Sequence, residues 1–227
     1  IVSVIVFLIV MFYACKKIEL VPKKTFWAGG LDQLFEWARK DLGYNTIGPD
    51  ADRHMPFLLT LLFFILTCNL VGLIPGVTVA TGIIGSTISL AIISFVYFNY
   101  YGIKTKGFGK YMASFIPAGV AFPMNIFVWV IEIFSCILRL FTLAIRLFAN
   151  MYAGHLILGA FAILTTVFVT PVLQSLTAAT IAGVVGGVVW MVFLILMYCL
   201  ELMMACIQAY VFTMLSAVYI QLATSGE

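Results

Sequence analysis

The sequence predicts an all-α integral membrane protein. Its expected order is one N-terminal span, an interfacial amphipathic helix, a two-span hairpin, and two long tilted helices forming a second hairpin. Three observations lead there. Of the 227 residues, 64% are apolar and 9% charged, where an ordinary soluble domain has roughly 45–50% and 25%. The mean hydropathy is +1.17, and so few charges cannot shield that much apolar surface from water. The charges are also segregated: sixteen fall within residues 1–110, almost all in two loops, and Tyr111 to Ser225 holds only Glu132, Arg139, Arg146 and Glu201.

The first apolar run, residues 1–15, is short for a span, which needs about 20 residues. Its first residue is not Met, so the run is expected to continue upstream or to have been processed. A signal peptide carries its positive charge before the apolar stretch. Here Lys16, Lys17, Lys23 and Lys24 follow it, which favours a retained membrane helix. In residues 25–42, Trp27, Leu31, Leu34, Phe35, Ala38 and Leu42 share one side of a helix. Asp32, Glu36, Arg39 and Lys40 take the other, acids before bases as the helix dipole favours, with Gly43 as the expected stop. Such a helix lies in the membrane interface; docking on a soluble partner is the alternative.

Residues 55–101 read as a transmembrane hairpin. One span covers residues 55–74, with Pro56 at its start and Pro75-Gly76 at its end, and the next covers residues 77–101. The loop GIKTKGFGKY then supplies Lys104, Lys106 and Lys110. The hairpin returns the chain to the side of the first lysine cluster, so both basic loops share the face that the positive-inside rule assigns to the cytoplasm or the mitochondrial matrix. Residues 112–222 are too long for simple spans. Residues 112–169 as one helix would reach about 87 Å, against a hydrocarbon core of about 30 Å. Tilt or breaks follow, with Pro117, Gly119 and Pro123 as early break points and a turn near Thr170-Pro171. The second arm is then expected over residues 173–222, with Gly183 and Gly187 spaced for close helix contact.

Charges at bilayer depth cost at least about 2.5–3.5 kcal/mol each on insertion scales and usually mark an ion pathway. Glu132, Arg139 and Arg146 are spaced by seven, so each lies about 20° around the helix from the last. Asn150 follows Arg146 by four, and Glu201 and Gln208 are seven apart on the second arm. The two arms are thus expected to meet across a polar seam. Glu–Arg pairs pinning helix register are the structural reading of that seam. The functional reading needs an arginine without a near partner, and with it an external anionic one.

These residues carry a resemblance. RLFANMYAGH over 146–155, preceded by IEIFSCILRLFTLAI, and CLELMMACIQAYVFTML on the second arm resemble subunit a of rotary F-type ATP synthases. That subunit is the proton-channel subunit beside the rotating c-ring. HMPFLLTLLFFILTCNLVGLIPG over 54–76 resembles the family's P-F-x-x-T…N-L-x-G-L-I-P segment, and the likeness runs over about residues 54–222. It implies two offset half-channels, with the second hairpin set against the c-ring. By position, Arg146 corresponds to the essential arginine facing the c-ring carboxylate, and Gln208 to the glutamine facing that arginine. Asn150, His155, Glu201 and Asn69 correspond to polar positions of the half-channel open to the positive side. Glu132 corresponds to an acid near the opposite half-channel, and Arg139 to a structural arginine. The expected partners are the c-ring of small hairpin subunits, the peripheral stalk, other membrane Fo subunits and the lipid bilayer, with protons as the transported ion.

The placing of His155 on the first arm and Glu201 on the second resembles mitochondrial and alphaproteobacterial members. It implies the mitochondrial inner membrane, a bacterial plasma membrane being the alternative. His155 lies about 180° around an ideal helix from Arg146. Either the helix is irregular near Gly154, or His155 lines a route away from the arginine face. Taken alone, His155 could equally be a buried imidazole bonded to a backbone carbonyl, and His54 reads as an interfacial residue beside Asp50, Asp52 and Arg53.

Other classes fit less well. A secondary transporter or ion channel, the main alternative, would show pseudo-symmetric halves, which the charge-poor second half does not provide. A haem subunit wants axial histidines within spans, where only His155 qualifies. Gly85-Ser86-Thr87 lacks the Gly of a nucleophile motif, the lysines lie in loops or at their edges, and no G-x-x-x-x-G-K-[ST] is present. No catalysis by the chain alone, no cofactor and no metal is expected, and a net charge of +3 spread over separate loops gives no nucleic-acid footprint. Cys15, Cys68, Cys136, Cys199 and Cys206 read as small apolar packers.

Overall fold

Hydrocarbon offers no partner to an exposed N–H or C=O, so a chain crossing it must close its backbone bonds within helices or a barrel. The computed structural model describes residues 2–17, 33, 36–48, 51–74, 80–113, 124–174 and 178–224, and all regular structure among them is helical. The elements are α1 (Val2–Lys17), a π-helical turn (Arg39–Tyr44), α2 (Ala51–Gly72), a 3-10 turn (Ala80–Gly82), α3 (Ile84–Lys106), α4 (Phe108–Ala113), α5 (Met124–Gln174) and α6 (Ala178–Thr224). Helices α2, α3, α5 and α6 are long and apolar enough to cross a membrane. In this sequence α1 has 16 residues, about 24 Å, and falls short of the hydrocarbon thickness.

Most of the expected interfacial helix over residues 25–42 lies outside the described residues. The part that is described fits an apolar face: Ala38 and Leu42 are fully buried, while Glu36, Arg39 and Lys40 are exposed. Gly43 is not the stop. The helical turn runs through it to Tyr44, and the positive φ of +87° falls at Gly48. A Cβ on Gly43 would press on Met55 and Ala51, so this glycine serves close approach to α2 rather than termination. Arg39 donates to Asp52 at 2.8 Å, tying the segment to the start of α2. Tyr210 donates to Asp41 at 2.8 Å, tying it to α6.

The boundaries of the next elements differ from the sequence reading. Helix α2 begins at Ala51, a turn before residue 55, and takes Pro56 into its second turn. Only the bond to the Asp52 carbonyl is lost there, close to the helix start where few donors are yet paired. Helix α3 starts at Ile84 rather than 77 and carries Lys104 and Lys106 in its last turn, where cations suit the dipole. Part of the expected loop is helix α4, which folds back after Gly107 (φ +80°) and lays Tyr111 on Gly102. Tyr111 donates to Asn99 at 2.8 Å, and burial pushes its phenol up to about 12.

Nor do α2 and α3 run paired along their lengths. The start of α2 meets the end of α3 through Phe57 stacked on Tyr97, 3.7 Å between centroids, and His54 edge-on to Tyr101. Elsewhere α2 packs on α6 and α1, and α3 packs on α5 and α6. His54 is therefore 3% exposed, with Nδ1 3.2 Å from the Tyr97 hydroxyl.

Helices α5 and α6 share the most extensive interface of the fold. The expected turn at Pro171 lies further on. Helix α5 continues through it to Gln174, because a proline in the last turn removes a single backbone bond. The second arm begins at Ala178, not near 173. Over its 51 residues α5 shows no break and reaches about 76 Å, so it must lie steeply inclined or project beyond a 30 Å core. Pro117, Gly119 and Pro123 lie outside the described residues.

The arms are antiparallel and in constant register. Met151 meets Ala205, Gly154 meets Glu201, and Phe168 and Val169 meet Gly186 and Gly187. An advance of 14 residues from Gly154 to Phe168 is matched by a retreat of 15 from Glu201 to Gly186. Gly186 and Gly187 make the close contact, whereas the side-chain environment at Gly183 lies outside the described residues. Leu143, Ala144 and Leu147 of α5 pack with Ala209 and Phe212 of α6 and with Leu61, Leu62 and Ile65 of α2. Only 11% of the most apolar stretch of either arm is buried, so the outer faces await lipid or partner protein. Cys68 and Cys136 are buried packers, but Cys199 and Cys206 are exposed.

Candidate functional site

The polar residues of the two arms divide into three groups. The first lies toward the start of α5. Arg139 donates to Glu132 at 3.1 Å, one helical repeat apart on the same face, and both are about one-third exposed. The Arg139 guanidinium also lies 5.6 Å from the centre of the Tyr219 ring of α6. Arg139 is thus held by its own helix and an aromatic ring.

The second group is Arg146 and its surroundings. Arg146 is exposed, and among the described residues it has neither an ion pair nor a hydrogen bond. Within its face of α5, Ala149 and Ala153 are exposed and Asn150 is half-buried. These lie three, seven and four residues on, so the surface beside the guanidinium is shallow. The register places Gln208 of α6 level with Leu147, one residue from Arg146. Gln208 is 6% exposed, and its Nε2 has no hydrogen-bond partner among the described residues.

The third group lies about two turns further along α5. Helix α5 is regular through Gly154 and His155, so His155 faces away from Arg146, as helical geometry requires. Gly154 is buried, and a methyl group on it would overlap the Glu201 carboxylate. The acid therefore rests directly on the backbone of α5, at the level of His155. Glu201 Oε1 and His155 Nε2 are buried without hydrogen-bond partners among the described residues. A buried polar atom left unpaired costs about 1–3 kcal/mol, and the usual remedy is water. Both groups thus call for a hydrated route, and the imidazole does not fit the reading of a ring satisfied by backbone.

Asn69 behaves differently. It is fully buried on α2, its Nδ2 donates to the Ala205 carbonyl at 3.2 Å, and its Oδ1 accepts from Thr81 at 2.9 Å. The structure brings Asn69, His155 and Glu201 to neighbouring levels of α5 and α6. The seam of the structural reading, in which Glu–Arg pairs pin the two arms together, is not formed: among the described residues, the one ion pair on the arms is the intrahelical Arg139–Glu132. The sequence reading missed the roles of Gly154, Thr81, Ala205 and Tyr219. Only Gly154 gave a signal, standing next to His155. Among the described residues no cluster of three His, Cys, Asp or Glu could hold a metal ion.

A family model described as ATP synthase A chain matches residues 1–221. The chain is 36% identical over 229 residues to ATP synthase subunit a 2 of Chlorobium luteolum, covering 100% of this chain and 63% of that protein. It is 38% identical over 200 residues to ATP synthase subunit a 2 of Prosthecochloris aestuarii, covering 88% and 58%. Against ATP synthase subunit a of a Nocardioides species it is 36% identical over 228 residues, covering 99% and 79%. The chain thus spans about three-fifths of the length of the first two relatives. All three organisms are bacteria, which gives no support to the mitochondrial type inferred from His155 and Glu201.

Proposed function

The chain belongs to the ATP synthase A chain family, and on that premise we propose that it is the proton-translocating stator subunit of a rotary F-type ATP synthase. The observation that carries this reading is Arg146: a permanent cation on a long apolar helix, with no anionic partner among the described residues, beside a surface of small side chains. A close-approaching partner helix bearing a carboxylate satisfies both features.

The mechanism follows from charge. A rotor carboxylate crosses lipid only when protonated, because the ionised form is heavily penalised there. The Arg146 guanidinium is never deprotonated and keeps an arriving carboxylate ionised. It also sets a positive barrier between two aqueous half-channels, so protons travel round with the rotor instead of leaking across. Each proton descending ~100 mV releases about 2.3 kcal/mol. Gln208, buried on the facing helix, lies level with Arg146. His155, Glu201 and Asn150 form the half-channel remote from the basic face, with Asn69 beside them. Glu132, nearer that face, serves the other half-channel, and Arg139 holds Glu132 in place.

The partners in this reading are the c-ring of small hairpin subunits, the peripheral stalk, other membrane Fo subunits and the bilayer. The chain is not an enzyme alone; ATP chemistry belongs to other subunits. Its location in this reading is a bacterial plasma membrane, which the bacterial origin of the relatives supports. In vesicles holding the assembled complex, Arg146→Ala is expected to abolish ATP-driven proton pumping while leaving subunit content unchanged. Normal pumping by that variant contradicts the reading.

A further inference from the structure

Three polar side chains near the middle of α6 and α5 carry buried atoms without hydrogen-bond partners among the described residues: Glu201, His155 and Gln208. Asn69, at the same level and fully buried, has both ends of its amide engaged. A group whose amide is committed at both ends is poorly suited to passing protons and well suited to fixing the part it holds. That part is the Ala205 carbonyl, four residues after Glu201 and three before Gln208.

We propose that Thr81 and Asn69 are positioning residues that set the placement of α6 for proton transfer, resting on the functional reading above. The Ala205 carbonyl only accepts, so the Asn69 amide nitrogen must face it. This leaves Oδ1 buried and in need of a donor, which the Thr81 hydroxyl supplies. Thr81 is 1% exposed in the 3-10 turn Ala80–Gly82, and that turn packs on α2, α3 and α5. It is therefore anchored to the other helices and transmits their position to α6. Ala205 is fully buried and carries only a methyl group, which lets the amide reach the backbone. Gly154, against which Glu201 rests, leaves no slack on the opposite side. The carboxylate is thus located by two fixtures, the Gly154 backbone beneath it and the Thr81–Asn69 bond chain one turn along. Misplacing a reacting group by about 1 Å is enough to slow a transfer step by orders of magnitude.

The test uses the complete ATP synthase in inverted vesicles, with ATP-driven proton uptake measured per assembled complex across a range of pH. Thr81→Val keeps the shape and removes the donor; Thr81→Ser keeps the donor. Thr81→Val is expected to slow uptake about 3- to 10-fold, the scale of one lost hydrogen bond, and to displace the pH profile as Asn69→Leu does. Thr81→Ser is expected to restore both, and the Thr81→Val/Asn69→Leu double variant to be no slower than Asn69→Leu alone. Independent, multiplying effects at the two positions, or a Thr81→Val profile identical to the unmodified chain, overturn the inference. Arg146→Ala runs beside them: if it pumps normally, the functional reading falls and this inference with it. If it is inactive while positions 81 and 69 act independently, only this inference falls.

Discussion

A guanidinium in an apolar helix carries a cost that its own fold normally relieves, and among the described residues Arg146 has no such relief while Arg139, one helical repeat earlier, has Glu132 and Tyr219. The two arginines look alike in the sequence, and only their surroundings separate an anchored charge from a free one. Arg146, His155, Glu201 and Gln208 were legible because polar groups stand out in a stretch with four charges. Gly154 was not legible as a fixture, because a glycine acquires that role only when the register sets Glu201 on it. Gly154→Ala is expected to displace the Glu201 carboxylate and cut proton uptake per complex at least ~10-fold, as misplacement of a transfer group does. Adding Glu201→Asp, which shortens the acid by one methylene, is expected to recover part of the loss. An unaffected Gly154→Ala variant contradicts this placement.

Elements were legible where apolar length decided them and illegible where glycine and proline were read as punctuation. Pro171 did not end α5, Pro56 did not begin α2, and Gly43 did not stop a helix. For the two prolines a terminal position made the broken bond cheap, and Gly43 serves close approach to α2. Helix α4 was invisible in a lysine- and glycine-rich stretch, since what orders it is Tyr111 laid on Gly102 and bonded to Asn99. This docking makes a pH prediction. Because burial raises the Tyr111 phenol to about 12, docking is fully stable below the ordinary tyrosine value near 10 and weakens as pH climbs from there through 12. A tyrosinate absorbance titration is expected to lose one of its late-titrating groups in Tyr111→Phe. An unchanged titration in that variant contradicts the assignment.

For the whole molecule, membrane class and helical architecture were plain from composition, but the way α2 and α3 pack was not. Sequence adjacency suggested a paired hairpin, whereas the buried residues of both helices serve the α5–α6 pair. A lipid-facing chain hides this, because outer and inner faces are equally apolar and hydrophobic periodicity loses its meaning. The charges still orient it. Arg39, Lys40, Lys104 and Lys110 are exposed and Lys106 is half-buried, and contacts between the start of α2 and the end of α3 place the two basic segments at one end. The positive-inside rule then sets that end in the cytoplasm. Lys110→Cys is expected to react with a membrane-impermeant maleimide in inverted vesicles, above the background of native cysteines, and to be protected in right-side-out vesicles. The opposite pattern inverts the topology.

In the proposed function the small-residue face around Arg146 meets a carboxylate-bearing rotor. A photoreactive amino acid at Ala153, exposed and seven residues beyond Arg146, tests it in the intact complex. The expected product is an adduct with a small subunit of an oligomeric ring; adducts with lipid alone, or with peripheral subunits alone, contradict the claim.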